Sequence, residues 1–173
     1  MAGTLGADLR IVSVPVTHPD AVRLVEEVQQ EYVARYGGRD DTPLDGTEFE
    51  PGNGAFYVGY DGGTAVASGA WRWLPLPEGL PWTPTRCVEI KRMYVVPPAR
   101  GHGHARRMLG HLEADAAAQG AEVVVLETGT SQPEAIGLYT SSGYQQVPKY
   151  GHYCCAPGSR CFGRPLAQAS SRY

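Results

Sequence analysis

The sequence predicts a single mixed α/β (α+β) domain, and three observations support this prediction. Runs typical of strands and runs typical of amphipathic helices alternate along the chain in the order strand, helix, strands, helix, strand, helix, strands. A length of 173 residues with 42% hydrophobic content suits one domain with a buried core. No internal repeat or linker divides the chain, so we expect residues 1–173 to form one domain.

The chain begins with a predicted strand and a predicted helix. Leu9 to Val16 is rich in β-branched residues, which favours a strand. His18-Pro19-Asp20 is typical of a helix start, and Gly37-Gly38 is typical of a helix end. Between them, apolar side chains recur at three- and four-residue steps, so we expect one apolar face. Its members are Val22, Val25, Val28, Tyr32 and Tyr36.

A loop and a hairpin follow. Residues 39–54 are rich in turn-forming and acidic residues and predict a loop with one short helical turn. Ala55 to Tyr60 and Thr64 to Leu74 flank Asp61-Gly62-Gly63, which is typical of a turn between antiparallel strands. Pro75 to Pro84 is proline-rich and predicts another loop.

The second half contains a glycine-rich turn between a strand and a helix. Cys87 to Val96 predicts the strand, and Arg100-Gly101-His102-Gly103-His104-Ala105 forms the turn. The helix runs from His104 to Gln119 with one apolar stripe, and Gly120 ends it. The stripe consists of Ala105, Met108, Leu109, Leu112 and Ala116.

Four elements complete the chain. Glu122 to Glu127 includes a continuous apolar run, which suits a central strand covered on both faces. Pro133 to Ser142 predicts a short helix, and Tyr144 to Val147 predicts a strand. Arg160 to Leu166 predicts the last strand, and we expect it at an edge where two subunits of a homodimer could pair.

The composition excludes several classes of partner. A net charge of -3 and a pI near 5.9 leave no basic excess to neutralise phosphates, so we expect no nucleic acid. No basic, apolar leader and no run of ~18 apolar residues is present, so we expect no membrane. Four cysteines without a disulfide framework indicate reduced thiols and a cytoplasmic protein. The histidines show no metal-ligand spacing, so we expect no metal.

The glycine turn suits the binding of a phosphate group. The first N–H groups of a helix lack intrahelical partners, and glycine lets an anion approach the backbone closely. A Walker A loop would end in Gly-Lys-Ser/Thr, which this turn lacks. A dinucleotide fingerprint needs a small residue where Arg106 stands. Two interpretations of the turn remain: a pyrophosphate site of another kind, or a plain connection between a strand and a helix.

Two motifs in order identify the stretch from Glu89 to Tyr144 with a known family. Arg100-x-x-Gly103-x-Ala105 is the first. Ala135-Ile136-Gly137-Leu138-Tyr139, followed by Gly143-Tyr144, is the second. Together they resemble the signatures of the GNAT superfamily of acetyl-CoA-dependent N-acetyltransferases, of the bacterial type that acts on small molecules. The resemblance implies a mixed, mostly antiparallel sheet that splays open and is flanked by helices.

The resemblance also implies roles for individual residues. The backbone from Arg100 to Ala105, with Gly101, His102, Gly103 and His104, would hold the pyrophosphate of acetyl-CoA. Met93, Tyr94 and Val95 would form the strand that contacts the pantetheine arm, and Ile136 would belong to the same binding site. Tyr139 would be the general acid for the departing thiolate. His104 replaces the usual apolar residue, and we expect it to be exposed or near the nucleotide.

The base and the acceptor site are less constrained by the sequence. Glu89, on the strand before the turn, matches the position of a general base in some family members. Alternatively, Glu89 forms an ion pair with Lys91 or Arg92. A chain of water molecules, as in other family members, would then act as the base in place of Glu89. Tyr32, Tyr36 and Trp71 are candidates for substrate binding. An acidic loop within residues 40–50 would attract a cationic amine, or it is simply solvated.

These observations predict acetyl transfer from acetyl-CoA to a primary amine of a small molecule by direct attack. Two alternatives stay open at this point. One is a non-catalytic module that binds acyl-CoA as a sensor, and the other is a protein N-acetyltransferase.

Overall fold

The computed structural model describes residues 8–41 and 45–166. The strands are β1 (Arg10–Ser13), β2 (Gly54–Asp61), β3 (Thr64–Leu74), β4 (Cys87–Val95), β5 (Val123–Gly129), β6 (Gln145–Val147) and β7 (Ser159–Pro165). The helices are α1 (Pro19–Tyr36), α2 (His104–Ala118) and α3 (Pro133–Ser141). Residues 1–7, 42–44 and 167–173, which include the N-terminal segment and part of the loop interpreted above, lie outside the described residues.

The seven strands form one mixed sheet, as predicted. Their order is β1-β2-β3-β4-β5-β7-β6. Every neighbouring pair is antiparallel except β4 and β5, which are parallel. The parallel pair follows from the chain path, because α2 carries the chain back from the end of β4 to the start of β5.

Helix α1 covers one face of the sheet, but its buried stripe differs from the predicted one. Pro19 occupies the first turn, and Gly37 ends the helix in the left-handed region. The buried side chains begin at Ala21 and Leu24, and Val28 is buried with them. Of the predicted face, Val25, Val28 and Tyr32 pack in this cluster. Val22 and Tyr36 are 54% and 45% exposed, so the prediction is wrong for these two. Ala21 directly precedes Val22, and one step along a helix rotates a side chain by about 100°. Ala21 therefore faces the sheet, whereas Val22 faces outward.

Helix α2 covers the opposite face with the stripe that the sequence predicts. Met108, Leu109, Leu112 and Ala116 are buried in the main core, and Ala105 packs partly buried against it. The helix lies close to β3 because Gly69 has no side chain. A Cβ at Gly69 would overlap the side chains of Met108 and Leu112.

Strand β5 has the central position that its apolar run predicts. Val124 and Leu126 face the main core, whereas Val123 and Val125 face a smaller cluster that includes Cys87. The prediction that Arg160 to Leu166 forms a sheet edge is wrong, because β7 pairs with β5 on one side and β6 on the other. Over residues 161–163, β6 therefore occupies the edge that a second subunit would need. A short 3₁₀ turn at Gly46–Phe49 matches the helical turn predicted in the acidic loop.

None of the helices in the described ranges has the length and apolar content needed to cross a membrane.

Candidate functional site

Strands β4 and β5 separate partway along their length. They pair as far as Ile90↔Leu126, and no described strand pairs with Lys91–Val95 on that side. The register between β3 and β4 shifts at this level, and Arg92 there adopts a φ of 55°. A bulge bends its strand and increases the local twist. As a result β4 turns away from β5 and leaves backbone N–H and C=O groups along the gap.

A cleft of about 490 Å³ occupies this gap. Its walls come from β4, β5, α1, α3 and the loops that follow α1 and precede β7. The lining side chains that matter most below are Tyr32, Tyr36, Asp40, Arg92, Met93, Glu127 and Tyr139.

Three tyrosines that the sequence singles out meet at this cleft. Tyr32 and Tyr36 reach it from α1, and Tyr139 reaches it from α3. The Tyr36 hydroxyl accepts a hydrogen bond from Gln132 Nε2 at 3.0 Å. Gly129 leaves room for this ring, because a Cβ there would overlap it. Burial raises the pKa of Tyr32 to about 12.

Tyr139 presents a protonated hydroxyl to the cleft. The residue is 6% exposed, and its ring packs against Tyr144 with a centroid separation of 5.7 Å. Burial raises the pKa of Tyr139 above its ordinary value, so the hydroxyl keeps its proton at neutral pH. The group can therefore act as a proton donor.

Glu89 lies beside the cleft, in an ion pair. Its Oε1 accepts hydrogen bonds from Nε and Nη2 of Arg72, at 3.0 and 2.8 Å. Lys91 Nζ lies 3.9 Å from the same oxygen, and Arg72 also binds Glu48. The Glu89 carboxylate faces an adjoining cavity of about 50 Å³ and does not line the larger one. The structure thus shows an ion pair at Glu89, with Arg72 as its main partner.

Glu127 is the glutamate that lines the main cleft, and it was not among the sequence candidates. It stands one position beyond Leu126, where β4 and β5 part, and lines both cavities. Burial raises the pKa of the Glu127 carboxyl, Lys91 opposes this shift, and the charges of Glu89 and Asp40 add to it. The sequence feature that could have identified Glu127 is its position directly after the apolar run of a strand, since open sheets commonly bind ligands at the carboxyl ends of their strands.

The acidic loop contributes Asp40 and Asp41 to the same cleft. The side-chain amide of Gln29 donates to the backbone carbonyl of Asp40, and its oxygen accepts from the backbone N–H of Asp40. The Tyr153 hydroxyl lies 2.8 Å from Asp40 Oδ1 and 2.6 Å from Asp41 Oδ1. The loop is therefore attached to the protein at the mouth of the cleft.

The glycine turn presents open backbone at the N-terminus of α2. Gly101 and Gly103 have φ values of 81° and 79°, and a Cβ on either would meet no atom within 4 Å. Gly103 is the N-cap residue, and no side-chain hydrogen bond from the described residues caps the helix. The first N–H groups of α2 can therefore receive an anion from outside the protein.

Two side chains of the turn point away from this open surface. Arg100 donates from Nε to the Val95 carbonyl at 2.9 Å and from Nη2 to Glu31 at 2.7 Å. His104 is 1% exposed, and its Nε2 lies 3.1 Å from Asp61 Oδ2. The expectation of an exposed His104 is wrong, because the first residue of α2 faces the β2–β3 turn, which supplies the acidic partner.

The other candidates divide by position. Met93 lines the cleft, whereas Tyr94 and Val95 have buried side chains and are absent from its lining. Ile136 packs against the main core and is absent from the cleft lining. Trp71 lies elsewhere as well: it is 3% exposed and donates from Nε1 to Asp115 of α2 at 2.7 Å.

No group of three or more metal-ligating side chains occurs within residues 8–41 and 45–166.

Comparisons with known proteins show which family the chain resembles. Residues 22–144 match the family model described as "Acetyltransferase (GNAT) family". A curated relative from Azospirillum brasilense, named "IAA acetyltransferase", is 32% identical over 145 residues, which cover 84% of this chain and 90% of that protein.

Solved structures show the same fold. An acyl-CoA N-acyltransferase from Klebsiella pneumoniae, assigned as such without proof of activity, superposes with a TM-score of 0.70 at 28% identity, covering 91% of this chain and 97% of that one. An acetyltransferase fold from Salmonella typhimurium, solved with acetyl-CoA, superposes with a TM-score of 0.65 at 18% identity, covering 96% of this chain and 99% of that one.

Proposed function

The chain belongs to the GNAT family of acetyltransferases, and we propose that it transfers the acetyl group of acetyl-CoA to a primary amine of a small molecule by direct attack. One observation carries this proposal. A proton donor, Tyr139, and a proton acceptor, Glu127, line a single cleft at the point where β4 leaves β5.

Three features of the chain support the binding of acetyl-CoA, the co-substrate of this family. The backbone from Arg100 to Ala105 offers an anion site for the pyrophosphate. On the side of β4 that leaves β5, Met93 and Val95 offer backbone groups to the pantetheine amides, as an added strand would use them, although the Val95 carbonyl already accepts from Arg100. The cleft beyond this edge leads to Tyr139.

Tyr139 is suited to protonate the leaving group. Acetyl-CoA supplies a thioester carbonyl and a thiolate leaving group. The pKa of a thiol is about 8.5, so the thiolate needs only modest assistance. The Tyr139 hydroxyl remains protonated at neutral pH because burial raises its pKa. It can therefore give its proton to sulfur and recover one from solvent.

Glu127 is suited to remove a proton from the amine. Alkylammonium groups have pKa values near 10.4, so the acceptor must lose a proton before it attacks. Burial raises the pKa of Glu127, which makes this carboxylate a stronger base than an exposed one. Glu89 is less suited, since Arg72 holds its carboxylate. We assign Glu89 an indirect part, because its charge helps to raise the pKa of Glu127.

The proposal is tested by incubating the protein with acetyl-CoA and a panel of primary amines. Free thiol is measured together with the mass of the acetylated product. Amine-dependent thiol release with an N-acetyl product supports the proposal. Binding of acetyl-CoA without transfer to any acceptor would instead indicate an acyl-CoA sensor. Transfer only to lysines or N-termini of added proteins would indicate a protein N-acetyltransferase.

A further inference from the structure

Arg92 is a buried cation at the wall of the cleft with few partners. Its side chain is 2% exposed. Among the described residues, none accepts a hydrogen bond from its Nε, Nη1 or Nη2. The nearest acid is Asp40, whose Oδ2 lies 3.4 Å from Nη1, longer than the usual range for an N–H···O bond. A buried charge with unused donors is unfavourable unless another group binds to it.

The backbone at Arg92 is unfavourable as well. Its φ of 55° is the one positive value that the structure shows for a non-glycine residue in the described ranges. The bulge is held in place because the Ser68 hydroxyl donates to the Arg92 carbonyl at 2.9 Å. Non-glycine residues in the left-handed region concentrate at functional sites, where a side chain must be aimed in one direction. Here the bulge places Arg92 among the residues that line the cleft.

The charged residues that line the cleft are balanced in sign. The cations are Arg39, Lys91 and Arg92, and the acids are Asp40, Asp41 and Glu127. Arg39 already forms a two-point ion pair with Glu26, at 2.9 and 2.8 Å. Lys91 lies beside Glu89. Arg92 is therefore the lining cation whose donors are free to bind a ligand.

We propose that Arg92 binds a carboxylate of the acceptor, so that the acceptor is an amino acid or a similar small molecule with both an amine and a carboxylate. This inference rests on the proposed function. A guanidinium matches a carboxylate with two parallel N–H···O bonds. Glu127 and Asp40 provide the negative charge that suits the ammonium end. A simple amine would leave the guanidinium donors of Arg92 without a hydrogen-bond acceptor, whereas the carboxylate of an amino acid would accept from them.

The experiment compares acceptors that differ only in this carboxylate. Each α-amino acid is assayed beside its α-amide, in which a neutral group replaces the carboxylate. We expect the wild-type kcat/KM to favour the acid by about 100-fold or more, because loss of a partner for a buried charge is strongly penalised. Arg92→Asn should reduce this preference to near 1, mostly through KM, while transfer to the amide continues. Asparagine tolerates the left-handed backbone, so the substitution removes the guanidinium without adding backbone strain.

Arg39→Gln is the matched control, because it removes an arginine from the same lining that is already paired with Glu26. Its acid-to-amide ratio should equal that of the wild type. Acetyl-CoA titration and thermal melting establish that each variant is folded. If Arg92→Asn does not fold, Arg92→Lys replaces it and should give an intermediate ratio, because lysine keeps the charge without the planar fork.

The outcomes separate the two proposals. Equal use of acids and amides by the wild type, or an unchanged ratio in the folded Arg92 variant, overturns the role of Arg92 and leaves acetyl transfer standing. Absence of transfer to every acceptor, with acetyl-CoA still bound, contradicts the proposed function itself.

Discussion

Arg72 binds one carboxylate oxygen of Glu89 through two donors, at 3.0 and 2.8 Å, next to the point where the sheet opens. Both side chains are largely buried, with exposures of 15% and 6%. This pair gives Glu89 a partner inside the protein, whereas the carboxylate of Glu127 lines the cleft without an arginine partner among the described ion pairs.

Glu89→Gln should therefore affect stability more directly than chemistry. It removes one acid of a buried pair, although Arg72 keeps Glu48, so we expect a loss of about 1–3 kcal/mol in the free energy of unfolding. Urea denaturation measures this loss. The acid limb of the pH–rate profile should move to lower pH, because the charge of Glu89 no longer raises the pKa of Glu127. Full stability together with abolished turnover would instead identify Glu89 as the base.

Glu127→Gln should lower kcat by about 100-fold or more, because a general base typically contributes that much. The acid limb of the pH–rate profile should disappear with it. Binding of acetyl-CoA, measured by titration calorimetry, should be unchanged. A variant that keeps its wild-type rate would exclude Glu127 as base and favour a water chain.

The same substitution makes a prediction about stability and pH. The pKa of Glu127 is raised in the folded state, so its favourable contribution is present below the ordinary pKa near 4.5 and is lost as pH rises through the raised value. Relative to the wild type, Glu127→Gln should gain stability between pH 4 and pH 8. Denaturation curves of both proteins at pH 4 and pH 8 test the sign of this change in relative stability. Any cost of the substitution that does not depend on pH cancels when the two pH values are compared.

Tyr139→Phe should lower kcat without weakening the binding of acetyl-CoA. The expected loss is about 100-fold, since the variant cannot protonate the leaving thiolate. Tyr144→Phe is the matched control, because Tyr144 is a buried neighbour whose hydroxyl faces Glu113 and not the cleft. An equal loss in both variants would attribute the effect to packing of the two rings.

Gly103→Ala should weaken acetyl-CoA binding by about 10-fold or more. The positive φ disfavours alanine by about 1–2 kcal/mol, and the new methyl group projects into the space proposed for the pyrophosphate. Gly62→Ala in the β2–β3 turn is the control, because it also has a positive φ and open surroundings but lies outside the glycine turn. Calorimetric titration of both variants separates backbone strain from loss of the anion site.

Local patterns in the sequence determined most of the secondary structure. Pro19 and Gly37 bound α1, and the glycine turn precedes α2 as its residues predict. The apolar run within β5 also gave its central position, because a strand buried on both faces leaves no polar alternation. These features depend on neighbours within a few residues of each other, so the order of residues is sufficient to reveal them.

The tertiary structure alone decided which side chains meet. The partners of Glu89 and His104 come from distant strands, Arg72 from β3 and Asp61 from the end of β2. Glu127 and Arg92 reach the same cleft only because a bulge turns β4 away from β5. Alternation predicts the face on which a strand side chain lies, but pairing, register and bulges depend on contacts between remote segments. The glycine turn was therefore readable from the sequence, whereas the charges that line the cleft were not.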